Sequence, residues 1–218
     1  MRFALTDDQI ALRDAVRELL AKRPPDSPAT FEALVDMGIT TILVPEAEGG
    51  LGMDAVTAVA VLEQAGYAGV TFPIVEQVIG DGDPLALGAA AQLVGLGQRM
   101  LDMTVDYVKH REQFGVPVGS FQAVKHHLAD ALKELAFARP TVYRAAWAPT
   151  PVNISMAKAM ASDAASFTGR QALQCHGAIG YTDEYDLHRF LHLTWKLART
   201  FGDAAWHRER IADQLEIL

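Results

Sequence analysis

A chain of 218 residues that is 50% hydrophobic and only 21% charged can bury one large core or two small ones, which excludes a disordered polypeptide. Its formal charge of -8 excludes a non-specific nucleic-acid binder, which needs a Lys/Arg surplus to displace counterions from phosphates. Cys175 is the single cysteine, so no intrachain disulfide can form; a cytoplasmic setting is expected, and no apolar run reaches the length of a membrane span.

The N-terminus turns amphipathic without the apolar stretch and small-residue cleavage site of a secretory leader, so none is expected. Thr6 followed three residues later by Gln9 forms a capping box, and Ile10, Val16, Leu19 and Leu20 recur at helical spacing, predicting a helix over 6–22. Pro24, Pro25 and Pro28 end it. A second helix from about Pro28 carries Phe31, Leu34 and Val35 and closes at Gly38. Residues 39–45 form an apolar connector and 45–52 a glycine-rich loop. Val56, Val59, Ala60 and Leu62 predict a third helix ending near Gly66. Pro73, Gly80, Gly82 and Pro84 then read as a linker or a junction between units, and the expected division is an N-terminal helical unit (1–80) and a C-terminal bundle (81–218).

Leu93, Leu96, Met100, Met103 and Tyr107 fall at i, i+3, i+7, i+10 and i+14, which predicts a helix over 85–110. Val124, Leu128, Leu132 and Leu135 predict another over 121–138, with Pro140, Pro149 and Pro151 bounding or interrupting the next stretch of chain. An Ala- and Met-rich stretch predicts a helix over 153–175, and a terminal helix is expected over 197–218. Strand-like alternation is scarce. The expected fold is all-α, a small helical unit followed by an antiparallel four-helix bundle.

Two segments point to chemistry: Arg111-Glu112-Gln113-Phe114-Gly115-Val116-Pro117-Val118-Gly119-Ser120-Phe121-Gln122 and Gln174-Cys175-His176-Gly177-Ala178-Ile179-Gly180-Tyr181. In this order they resemble the flavin-binding signature of acyl-CoA dehydrogenases, and residues 31–69 resemble the N-terminal helical domain of the same family. The family's middle β-domain is missing, since Thr71 to Glu76 leads within a few residues into sequence resembling the first bundle helix. The resemblance implies FAD as cofactor, an acyl-CoA thioester as substrate, and a homo- or hetero-oligomer.

Arg111 offers the rigid fork that suits a pyrophosphate, although a guanidinium at a helix C-terminus also favours the helix dipole by itself. By resemblance Gln113, Phe114 and Gln122 belong to the same adenosine-pyrophosphate half; Phe114 and Phe121 read equally as core residues under a turn. Gln174, Gly177 and Ala178 would approach that half from the other side, or form a plain helix cap and turn. The family has two adjacent glycines where this chain has Gly177-Ala178, and the extra methyl would crowd a phosphate or bar a positive φ.

Catalysis in the family needs a carboxylate to take the α-proton of the thioester while a hydride leaves the β-carbon for the flavin. The resemblance sets its two known base positions on Phe201 and Leu85, and neither side chain can accept a proton. Asp83 and Asp203 lie two residues away and would need a local backbone shift. The catalytic residue is therefore unassigned. His126 with His127, and His188 with His192, lack the cysteine or carboxylate partners of a metal set and read as solvated helix histidines. The expectation is an acyl-CoA dehydrogenase-like flavoprotein, catalytically incomplete as an isolated chain. Its alternatives are a non-catalytic subunit completing a partner's FAD site and a helical bundle without cofactor.

Overall fold

A computed structural model describes residues 4–80 and 82–215. Their helices are α1 (Asp7–Lys22), α2 (Pro28–Asp36), α3 (Ala55–Ala68), α4 (Ile74–Ile79), α5 (Pro84–His110), α6 (Gln122–Trp147), α7 (Pro151–His176), α8 (Leu187–Arg199) and α9 (Ala204–Gln214). The fold is all-α, a helical N-terminal unit leading into an antiparallel helix bundle. Among the described residues the only sheet is the hairpin of β1 (Glu112–Gln113) and β2 (Val116–Pro117).

The first helix starts as its sequence dictates. Thr6 Oγ1 accepts from the Gln9 amide at 3.3 Å, and Gln9 Oε1 accepts from the Thr6 amide at 3.0 Å, closing both halves of the capping box. Ser27, Asp54 and Thr150 cap α2, α3 and α7 through one half of that arrangement, the side-chain oxygen accepting from the amide three residues on.

Four expectations need correction. The third helix does not end at Gly66 but passes through it to Ala68, and Gly69 supplies the left-handed cap with φ 76°. Gly66 is there for contact, because a Cβ at that position would lie 2.1 Å from the Gln92 carbonyl oxygen. Gly95 answers it, since a Cβ there would lie 2.0 Å from the Glu63 carbonyl oxygen, so α3 and α5 cross with their backbones touching. The expected linker before Pro84 contains α4, which buries Ile74, Val75 and Val78.

The third correction is α6, which continues through Pro140 to Trp147. Proline removes one helical hydrogen bond, but Val142, Ala145 and Ala146 beyond it are buried, and that packing outweighs the local cost. Leu132, expected on the buried face, is 51% exposed. The fourth is the terminal helix over 197–218. It is two helices, α8 starting ten residues earlier and α9 after a break in which Phe201 and Gly202 take φ of 60° and 93°. The bend lets both helices lie along α7; residues 216–218 of the expected helix lie outside the described residues.

One buried cluster runs from Val16 and Leu34 through Leu62, Leu87 and Leu93 to Ala157 and Ala165, and a second, with Leu96, Met100, Phe190 and Leu191, sits under α8. Alanines 157, 161, 164, 165 and 172 let α7 pack closely against its neighbours. Tyr107 near the end of α5 stacks on His176 at the end of α7, so these two helices run in the same direction with α6 returning between them. No described helix is long and apolar enough to cross a membrane.

Candidate functional site

Arg111 ends α5: its amide donates to the Tyr107 carbonyl at 2.9 Å, and its own carbonyl accepts from the Val118 amide at 2.7 Å. That second bond folds the following residues into the hairpin. Phe114 and Gly115 at its tip have φ of 56° and 79°, the pair of positive angles that a two-residue type I′ turn requires. A phenylalanine there is unusual, and the turn thrusts its ring outward, 93% exposed and edge-on to Phe121 at 6.2 Å. Phe114 is therefore not a core residue. Gln122 opens α6 with its Nε2 3.0 Å from His126 Nε2, the Gln113 side-chain Nε2 donates back to the Glu112 carbonyl at 2.7 Å, and Arg111 is exposed.

The second segment closes α7. Gly177 has φ 64° with open space where a Cβ would stand, whereas Ala178 follows in a 3₁₀ turn without a positive φ. The left-handed position thus falls on the glycine, and the methyl of Ala178 does not strain the backbone. Gln174 is exposed. Tyr107 and His176 stack at 4.4 Å, with Tyr185 against the same imidazole at 4.8 Å, and these contacts bring both segments to one end of the bundle. His176 Nδ1 donates to the Ala172 carbonyl at 2.8 Å, and burial holds its pKa below the ordinary histidine value.

The residues at which the resemblance placed a base lie around the start of α5 and the α8–α9 junction. An open cleft of about 380 Å³ separates these elements, walled by Asp83, Ala86, Phe201, Gly202, Trp206 and Arg210. Asp83 accepts from Arg210 Nη1 at 2.9 Å and from the same guanidinium through its other oxygen, a bidentate pair that holds its carboxyl below the usual range. Asp203 caps α9, accepting from the Trp206 amide at 2.9 Å. Leu85 is half-buried against the core. Phe201 and Ala86 make part of this lining apolar, and among the described residues Asp83, which lines the cleft, and Asp203, beside it in sequence, are each already engaged.

Sequence reading passed over the polar cluster behind this junction. Lys158 is fully buried; its ammonium donates to Ser162 Oγ at 3.2 Å, the Ala198 carbonyl at 3.1 Å and the Gly202 carbonyl at 2.8 Å. His207, also fully buried, donates from Nε2 to the Phe201 carbonyl at 3.0 Å, leaving Nδ1 to accept from Ser155 Oγ at 3.1 Å. Burial lowers the Lys158 pKa to about 8, against a raising effect of Asp203, and lowers that of His207. Ser155, Lys158 and Ser162 at i, i+3 and i+7 in an otherwise alanine-rich helix were the available signal. Glu63 was passed over too: it is buried between α3 and α6, paired with Arg139 and accepting from the Tyr143 hydroxyl at 2.9 Å. Of the histidine pairs, His188 and His192 do share a face, their rings 6.1 Å apart, and His192 abuts Trp195.

Comparison with known proteins gives a consistent result. Residues 84–216 match the family model for the acyl-CoA dehydrogenase C-terminal domain, and residues 6–92 match that for the N-terminal domain. The acyl-CoA dehydrogenase IpdE2 of Mycobacterium tuberculosis is 44% identical over 111 residues, which are 51% of this chain and 35% of that protein. The match therefore spans about a third of the relative's length. Among solved structures, glutaryl-coenzyme A dehydrogenase in complex with glutaryl-CoA superposes with a TM-score of 0.90 at 18% identity, over 100% of this chain and 98% of the other. The ChsE4-ChsE5 complex from Mycobacterium tuberculosis superposes with a TM-score of 0.89 at 18% identity, over 100% of both chains. At such identity the superpositions speak for the fold.

Proposed function

The chain belongs to the acyl-CoA dehydrogenase family, and from that premise we propose that it is a flavin-handling member unable to dehydrogenate an acyl-CoA thioester as an isolated chain. The observation that carries this reading is the cleft. Phe201 and Leu85 stand at both family base positions, Asp83 is held as an anion by Arg210, and Asp203 is committed to capping α9. A positioned base contributes roughly 10²–10⁴-fold to such a reaction, and among the described residues neither Asp83 nor Asp203 is free to supply it.

The exposed donors at the other end of the bundle fit one half of FAD. Arg111 would clamp the pyrophosphate, Gln113, Gln122 and Gln174 offer carboxamides, Phe114 presents a bare ring for the adenine, and the open space at Gly177, beside Ala178, admits a close backbone approach. FAD would supply the acceptor for the substrate hydride. The short hairpin after α5 is the only sheet among the described residues, and it cannot cover an isoalloxazine ring as a β-domain would. The fit is therefore to the adenosine-pyrophosphate half alone.

A second reading arises from that asymmetry: the chain is a non-catalytic subunit that completes the FAD site of a catalytic partner. The solvent-facing donor set favours it, and the fold is shared with a protein crystallised as the ChsE4-ChsE5 complex. We place the protein in the cytoplasm, with an acyl-CoA thioester as the partnered substrate. The deciding experiment is an absorbance scan of the pure chain, alone and mixed with candidate catalytic subunits, followed by anaerobic addition of acyl-CoA thioesters. Flavin retained only in the mixture is the expected result, and bleaching of flavin by the isolated chain would overturn both readings.

A further inference from the structure

We infer that Lys158 and His207 are positioning residues that tie the Phe201–Gly202 turn to α7 and so hold one wall of the cleft in place. Between them they engage the carbonyls of Ala198, Phe201 and Gly202, spanning the end of α8 and the turn beyond it. Carbonyls at a helix C-terminus have no partner within the helix, and these three face the interior. An ammonium has three N–H groups, and Lys158 uses all three, on two carbonyls and the Ser162 hydroxyl.

The turn needs such a tether. Phe201 sits at φ 60°, a conformation that side chains beyond glycine adopt reluctantly, so released from its partners it would relax elsewhere. Gly202 is required for closure: a Cβ there would stand 2.6 Å from the Trp206 ring and 2.9 Å from His207 Nε2. Because the Phe201 ring and Gly202 line the cleft, the tether decides that this side of the cleft is an apolar wall. The same geometry removes His207 as a substitute base, since both of its nitrogens are occupied. Lys158 and Arg210 also oppose a charge on His207, against the smaller pull of Asp83, while Asp203 is the carboxylate that favours the Lys158 ammonium. The inference stands on the cleft's geometry and holds whichever ligand the cleft takes.

Amide hydrogen exchange on the full chain tests it, read at Thr200 and His207, whose amides close the last turn of α8 and the first turn of α9 on the Lys196 and Asp203 carbonyls, either side of the tethered turn. Lys158→Met keeps the length of the side chain and removes the donors. It should speed exchange at these amides by about tenfold or more while core amides such as Leu93 stay protected. In a Phe201→Gly background, where a positive φ carries no penalty, the same substitution should change them by less than about twofold. Unchanged exchange in Lys158→Met, or an equal acceleration in both backgrounds, would overturn the inference. If Lys158→Met fails to fold, His207 decides: Gln, which can still donate to the Phe201 carbonyl, should preserve protection and Leu should lose it, and equal behaviour of the two would sink the proposal.

Discussion

Arg111 is the residue on which any flavin affinity should turn. Its guanidinium is exposed at the end of α5, so substitution would remove the proposed pyrophosphate contact without disturbing the core. Arg111→Ala should weaken flavin binding by roughly 1.5–3 kcal/mol, the worth of a charge-assisted hydrogen bond, and Arg111→Lys should recover only part because a point charge cannot imitate the fork. Flavin content of the purified variants, alone or in complex, measures this directly; equal content in wild type and Arg111→Ala would remove the residue from the site. Phe114 shows why residue identity and environment must be separated. Its place in the motif is legible in the sequence, but its 93% exposure results from a turn that only two successive positive φ angles can make.

Between elements, the decisive contact is the crossing of α3 and α5. Gly66 and Gly95 each face a backbone carbonyl of the opposite helix at a distance no methyl can share. Gly66→Ala or Gly95→Ala should therefore force the helices apart and cost at least about 1–3 kcal/mol, as overpacking does, despite the better helix propensity of alanine. Urea midpoints measure the loss, and a neutral or stabilising result at both positions would contradict the close crossing. Pro140 makes the opposite case within α6. It interrupts the helical hydrogen bonding without contributing a turn, so Pro140→Ala should raise stability by up to roughly 3 kcal/mol, read as a higher urea midpoint.

Across the whole molecule, buried ionisable groups give stability a definite pH dependence. Burial depresses His176 and His207 below 6.5, so the unfolded chain takes up protons first as the solution is acidified; their stabilisation is full above 6.5 and drains away below it. Lys158 is depressed from 10.5 to about 8, and the unfolded chain again binds more protons between those values, so stability rises as the pH climbs from about 8. Tyr143 and Tyr67, raised by burial, limit that gain, because their contribution is lost once the pH passes 10. Urea midpoints should thus rise from pH 5 to about 6.5, stay level to about 8 and rise again from about 8 to 9, above which the raised Cys175 thiol opposes the gain; Lys158→Met should abolish the alkaline rise. At the same scale, exposed Phe114, Phe137, Trp147 and Tyr181 leave apolar surface uncovered, and the chain is expected to self-associate or bind a partner. Sedimentation as a monodisperse monomer at high micromolar concentration would count against this.

The sequence by itself determined the local features. The Thr6–Gln9 capping box, the apolar stripe of α5 and the two flavin-type segments depend on neighbours three, four or seven residues away, and periodicity or motif exposes them. It also determined the family and the missing middle domain, because both are read from the order of segments. Only the tertiary structure decided that Gly66 lies inside a helix, that α6 survives Pro140 and that the last helical stretch breaks at Phe201. Each of these depends on a contact with residues distant in sequence: Gln92 for Gly66, the partners of Val142 and Ala146 for α6, and Lys158 and His207 for the break. Local propensity is worth a few tenths of a kcal/mol to about 3 kcal/mol per residue, and packing from another part of the chain can exceed it. The Lys158 cluster was the least legible of all, since a single lysine in a helix signals solvent until the fold wraps three acceptors around it.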